Sequence, residues 1–195
     1  MVKDMESFQS QEEKRRKRMK LAAYIGAFAV FQVIVILVFA LVVMKVKTPK
    51  FRIGNGVEIQ SLMAGNQSSP SFDMSFTAPI RIKNTNFGPY KYDPTTVNFT
   101  YGGVQVGQVT VPKSKANFKS TKKVDVTVSV NSNALTSTSG LGSELNSGVL
   151  TLNSQGRMNG KVELMLIFKK KKSTNMNCTM AINVASKALQ SMTCK

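Results

Sequence analysis

The chain contains no histidine, two cysteines and only ten acidic residues among 195. Without histidine it lacks the commonest general base and metal ligand, and Ser/His and Cys/His nucleophile systems are excluded. Six of the acids lie after residue 44, and Glu58, Asp73, Asp93, Asp125, Glu144 and Glu163 are scattered singly, so no paired-carboxylate arrangement emerges. Gly54-Asn55-Gly56 and Gly102-Gly103 read as turn glycines in a β context, and neither has the following helix and further glycines of a phosphate-cradling loop. Neither an enzyme nor a cofactor is expected.

What the chain does have is an uncharged apolar run over residues 21–44, preceded by Lys14, Arg15, Arg16, Lys17, Arg18 and Lys20. As a helix these residues reach about 36 Å, enough to cross a hydrocarbon core of about 30 Å. The apolar part of a cleaved signal spans only about 7 to 15 residues before a small-residue cleavage site. This run is longer and ends in Leu41-Val42-Val43-Met44-Lys45, which offers no such site. Apolar residues on all faces argue against a surface amphipathic helix. An uncleaved signal anchor is therefore expected, with residues 1–20 a basic tail, 21–44 the span, 45–56 a connector and 57–195 one β domain. Within the tail, residues 1–13 read as flexible, and Val2 stands where a myristoylation signal needs glycine. Gln32 is the only strongly polar side chain in the span; it either bonds backbone or a neighbouring helix, or supports self-association.

Orientation follows Lys/Arg bias: six basic residues precede the run between Lys14 and Lys20, and four follow it between Lys45 and Arg52. That bias favours a cytosolic N-terminus. Glycosylation sequons at Asn66, Asn98 and Asn177 all lie after the run, where an extracytosolic domain could use them. Cys178 and Cys194 form an even pair in the same part, as expected of a disulfide in an oxidising compartment; the alternative is two free buried thiols in a cytosolic domain. A hairpin with an odd-length loop centred on Ser186 sets the two sulfurs opposite each other, and the bridge would contribute roughly 3 kcal/mol.

From Lys45 onward there are 20 Lys/Arg against 6 Asp/Glu, a formal +14. Across a membrane the available polyanions are lipid headgroups and acidic polysaccharides rather than nucleic acid, although a solvated basic surface has the same composition. The basic cluster at residues 14–20 suits anionic inner-leaflet lipids, at about 1 kcal/mol per residue, as well as a plain topology signal.

Strand patterns dominate the domain. Phe72, Met74, Phe76, Ala78, Ile80 and Ile82 alternate with polar residues, with Pro79 suggesting an edge or bulge. Val97, Phe99 and Tyr101 form a second apolar face that turns Asn98 outward, and Gly102-Gly103 makes a tight turn. The parity switch between Val106 and Val109 predicts a bulge near Gly107. Val124, Val126, Val128 and Val130 mark another strand, followed by a short helix within 134–146. Strands at 149–152, 161–168, 178–184 and one ending near Cys194 complete an antiparallel sandwich of the immunoglobulin or fibronectin kind. Lys169, Lys170, Lys171 and Lys172 are read as a turn, either a solvated hairpin tip or a contact for an acidic partner.

Ile80-Arg81-Ile82-Lys83-Asn84-Thr85-Asn86-Phe87-Gly88, then Tyr90, Val97-Asn98-Phe99-Thr100-Tyr101-Gly102-Gly103 and Val106-Gly107, resemble the plant late embryogenesis abundant type 2 family. The motif positions are Asn84, Asn86, Tyr101 and Gly102. The chain departs from the usual Asn-Pro-Asn at Thr85, which implies a looser turn. The basic tail, the span, Gly148-Val149-Leu150-Thr151-Leu152, Gly160-Lys161-Val162 and the cysteine pair resemble the membrane-anchored, harpin-induced and disease-resistance-like branch. The resemblance implies a β-sandwich with a helix, placement at the plant plasma membrane facing the wall, a role in stress or pathogen response, and no catalytic residues.

Two functions follow as expectations. One is a single-pass adhesion or signalling scaffold whose basic domain contacts wall polyanions, lipid headgroups or a receptor. The other is an apolar-ligand or lipid carrier, suggested by Leu164, Met165, Leu166, Ile167 and Phe168, apolar on both strand faces unless the 134–146 helix covers them. The oligomeric state is not legible.

Overall fold

The computed structural model describes residues 2–42, 45–137, 139–164 and 168–195, with side chains from residue 14 onward except Ser139. Two compact units divide at Lys45 and Val46. The first is a single helix, α1 (Val2–Val42). The segment Lys14–Val42 is long and apolar enough to cross a membrane, and Leu21, Val30, Val33 and Val38, on different faces, are all exposed. Residues 2–13, expected to be flexible, continue the helix, in keeping with a sequence free of glycine and proline that carries three Glu and two Gln. Positions 43 and 44 of the expected span lie outside the described residues.

The second unit is built from strands β1 (Lys50–Ile53), β2 (Glu58–Ala64), β3 (Phe72–Lys83), β4 (Tyr90–Tyr92), β5 (Thr95–Tyr101), β6 (Val104–Val111), β7 (Ser114–Ala116), β8 (Thr121–Asn131), β9 (Val149–Leu164), β10 (Phe168–Asn183) and β11 (Ala188–Cys194). The short helix expected within 134–146 is present as α2 (Ser139–Ser147), preceded by a 3-10 turn at Ser132–Ala134. All pairings described are antiparallel, in the order β1-β3-β8-β6-β5-β9-β10-β11, with β2 on β3 and β4 joining β7 to β9. This is one continuous hydrogen-bonded sheet curling into a sandwich or barrel, not the two separate sheets of an immunoglobulin domain. The cause is β9, which pairs with β5 over Val97–Thr100 and with β10 over its whole length, so it bridges the two layers. The strand expected at 149–152 and the first half of that expected at 161–168, Lys161 to Leu164, belong to this one 16-residue strand; Phe168 opens β10, and residues 165–167 lie outside the described residues. The expected connector likewise contains β1.

The core forms where the alternation is strictest. Met74, Phe76, Ala78, Ile80 and Ile82 of β3 are fully buried, and Phe76 meets Phe99 edge-on at 5.4 Å. Pro79 lies in an interior strand, not at an edge, and the β3–β8 register runs past it without a shift. It is tolerated because its missing N–H falls in the gap between β1 and β2, where the Gly54 N–H donates to the Pro79 carbonyl at 2.7 Å. The expected bulge is present: Phe99 faces Gly107 and Thr100 faces Gln105, leaving Val106 extra. A side chain at Gly107 would meet Ser129 and Val130 of the adjacent β8. Gly102 and Gly103 both take positive φ, 54° and 86°, as a two-residue hairpin loop requires.

Candidate polyanion-binding face

Two asparagines organise one end of the domain. Asn84, 1% exposed, donates its amide to the carbonyls of Gly88 (2.8 Å), Ala116 (3.1 Å) and Asn117 (2.9 Å). Its Oδ1 accepts from the Asn86 backbone N–H and side-chain amide, at 3.0 and 2.9 Å. Asn86 in turn pairs with the Lys47 peptide, accepting from its N–H (2.6 Å) and donating to its carbonyl (2.8 Å). The side chain thus acts as a miniature strand that ties down the chain's entry to the domain. These two motif residues are structural, as is Tyr101, whose buried ring packs edge-on against Phe72 at 6.1 Å. Thr85, in the place of the usual proline, is exposed and carries none of this network.

The loop that Asn84 holds delivers β4 and β7 to the edge of β9, and there the basic residues converge. Lys115 of β7 faces Lys91 of β4, Lys91 faces Lys161 of β9, and Lys161 faces Lys171 of β10. Four exposed lysines therefore form one cross-strand row, about 14 Å long at the usual strand spacing. Lys169 lies in the next row, opposite Glu163. Glu163 is the sole carboxylate in these two rows; its Oε2 accepts from Lys91 Nζ at 2.7 Å. The Lys91 hydrogen bond, with the charges of Lys91, Lys169 and Lys161, holds its carboxyl below the usual range. Its contribution to stability is therefore present above the ordinary glutamate range and lost as pH falls through the lowered folded value, where the carboxyl protonates.

Lys169–Lys172 is not a turn. These residues are paired strand positions of β10, opposite Glu163 to Gly160, and alternate between faces: Lys169 and Lys171 join the row, while Lys170 and Lys172 point the other way. The expected four-lysine cluster is thereby split, and Lys91, Lys115 and Lys161, which were not singled out, replace half of it. Behind the row, buried Tyr90 donates its hydroxyl to the Lys172 carbonyl at 3.0 Å. Burial, then the nearby Asp93 and Tyr92, pushes this phenol up to about 12.

Toward the other end of the same face the lysines give way to amides and hydroxyls. Ser173 donates to Asn159 and Thr179 to Asn153, each at 2.7 Å. Asn98 of β5 and Asn177 of β10 flank Gln155 of β9 in a single register row. Two of the three sequons thus share a face, about 20 Å along β9 from Lys161. Asn66 is exposed in the β2–β3 loop, accepting from the Ser69 N–H at 2.8 Å.

Cys178 and Cys194 face each other across β10–β11 with their sulfurs 2.03 Å apart. The loop differs from expectation: Asn183 faces Ala188 across a four-residue turn, and a bulge at Gln190 absorbs the extra residue. In the apolar run, Leu164 is buried and Phe168 exposed; Met165, Leu166 and Ile167 lie outside the described residues. Helix α2 sits toward the opposite end of β9 from Leu164. Glu144 accepts from the Thr151 N–H near the start of β9, about 40 Å along the strand from Leu164. The six basic residues between Lys14 and Lys20 are exposed on α1.

A curled antiparallel β domain following an N-terminal apolar helix, with Asn84 and Asn86 stapling its entry, defines the class of protein. The family profile described as late embryogenesis abundant protein (LEA_2) matches residues 79–180, and the chain belongs to that family. A late embryogenesis abundant protein of Arabidopsis thaliana is 29% identical over 134 residues, covering 67% of this chain; the chain spans 62% of that relative's length. A solution structure from Arabidopsis thaliana is similar over 68% of this chain and 82% of its own, with 12% identity and a TM-score of 0.35. A crystal structure of an Archaeoglobus fulgidus protein is similar over 64% of this chain and 93% of its own, with 10% identity and a TM-score of 0.34.

Proposed function

We propose that the chain is a non-enzymatic, single-pass plasma-membrane protein with a cytosolic N-terminus and an extracellular β domain, acting in stress or pathogen response as an adhesion or signalling scaffold. Its lysine row holds an acidic polysaccharide. The Lys115–Lys91–Lys161–Lys171 row carries this reading. Glu163 neutralises Lys91, but Lys161 and Lys171 remain directly opposed; like charges so placed destabilise a sheet, and a row that leaves them so points to a ligand that neutralises it. The adjoining amides suit sugar hydroxyls, and glycans on Asn98 and Asn177 would occupy the amide end and leave the lysines free. The basic cluster of α1 would meet anionic inner-leaflet lipids.

The test is retention of the full chain, in neutral detergent, on immobilised polygalacturonate. Binding that falls steeply between about 50 and 200 mM salt, and is absent on a neutral glucan, supports the reading. Retention no stronger than that of an unrelated folded basic protein contradicts it. The carrier reading draws on the exposed Phe168, and delipidated protein that takes up no fluorescent fatty acid rules it out.

A further inference from the structure

A second basic site lies elsewhere on the domain and shares no residue with the lysine row. Across β1 and β3, Lys50 faces Lys83 and Arg52 faces Arg81. All four are exposed and alternate with the buried Phe51, Ile53, Ile80 and Ile82, so they share the outer surface. Together they rim a groove of about 400 Å³ that also reaches Met192 and Cys194 of β11. Among the described residues none of the four is ion-paired. The groove is built: a Cβ at Gly54 would fall on the Arg81 side-chain stem, so the glycine lets that stem lie flat against the backbone. Cys194 Sγ lies 3.9 Å from the Ile53 carbonyl, in van der Waals contact, and β11 forms the far wall.

We propose that this groove binds the phosphate headgroup of an anionic phospholipid. Two guanidinium groups side by side in register present the paired N–H forks that match phosphate oxygens, with two ammonium groups to complete the charge. Its volume suits a compact anion and not a polymer strand, which separates it chemically from the open lysine row. Chain connectivity selects the source. Lys50 follows Val42, the last described residue of α1, by eight positions, at most about 28 Å of extended chain. With α1 crossing a bilayer, as proposed above, that tether gives the bilayer's own phosphates a high effective concentration at the groove.

The test uses the full chain in nanodiscs and reads amine-labelling rates lysine by lysine by mass spectrometry. In phosphatidylcholine discs containing phosphatidic acid, Lys50 and Lys83 are expected to label at least fivefold more slowly than in pure phosphatidylcholine, with less than twofold change at Lys122 and Lys187. Gly54→Ala, which leaves every charge in place, should abolish this protection by displacing Arg81. Arg52→Gln/Arg81→Gln should do the same. Uniform slowing at all lysines, or none, overturns the proposal. Protection by soluble pyrophosphate in phosphatidylcholine discs without protection by phosphatidic acid overturns the lipid source and assigns the groove to a soluble phosphate compound.

Discussion

At the scale of single residues, most of the family motif is scaffolding. The Asn84 side chain makes five hydrogen bonds, four of them buried, so its removal strips a donor from the Gly88 and Ala116 carbonyls and the acceptor of two Asn86 donors, while the Asn117 carbonyl keeps Ser120. Asn84→Ala should lower unfolding free energy by about 3 kcal/mol, the range for unsatisfied buried polar groups, while Thr85→Ala changes it by less than about 0.5 kcal/mol. Denaturant titration of both variants checks this, and equal effects would contradict the account. Tyr90 gives a pH signature. Its phenol titrates near 12 when folded against about 10 unfolded, so the unfolded state loses its proton first and stability declines as pH rises from 10 toward 12. Tyr90→Phe should flatten that decline and cost about 1 kcal/mol at neutral pH through the lost bond to the Lys172 carbonyl. An unchanged slope in the variant would assign the titration elsewhere.

At the scale of elements, β3, the Gly107 bulge and the opposed cysteines were legible because each rests on local periodicity. A strand buried on one face announces itself by alternation, and a bulge by its parity switch. The three-residue β4 and β7 carry too little pattern, and β2 buries only Leu62 outright, so these strands exist by virtue of partners distant in sequence. The same reason hid the lysine row: Lys91, Lys161 and Lys171 become neighbours only through register across three strands. Lys169–Lys172 looked like a turn because a strand exposed on both faces leaves no hydrophobic alternation. The row's cost is measurable. Lys161 is flanked by lysines on both sides, so Lys161→Gln should stabilise the domain by about 0.5 kcal/mol at low salt, an effect that fades at 1 M salt while polygalacturonate affinity drops. Destabilisation at low salt would contradict the repulsion on which the functional reading rests.

At the scale of the whole molecule, the formal +17 resolves into parts with different surroundings: the cluster on α1, the lysine row, the arginine-bearing groove, and scattered solvated lysines. Protein isolated from native membranes should shift in mobility on removal of N-glycans and yield a Cys178–Cys194 peptide under non-reducing conditions. Unmodified Asn98 together with free thiols would place the domain on the cytosolic side.

Whether position or mere surplus charge governs polyanion binding is decided by one comparison. Lys115→Gln/Lys161→Gln/Lys171→Gln and Lys122→Gln/Lys123→Gln/Lys187→Gln remove the same charge from exposed strand and turn positions. At fixed salt, the row variant should lose at least tenfold in affinity for polygalacturonate and the scattered variant less than threefold. Equal losses in the two would show that the row is ordinary basic surface.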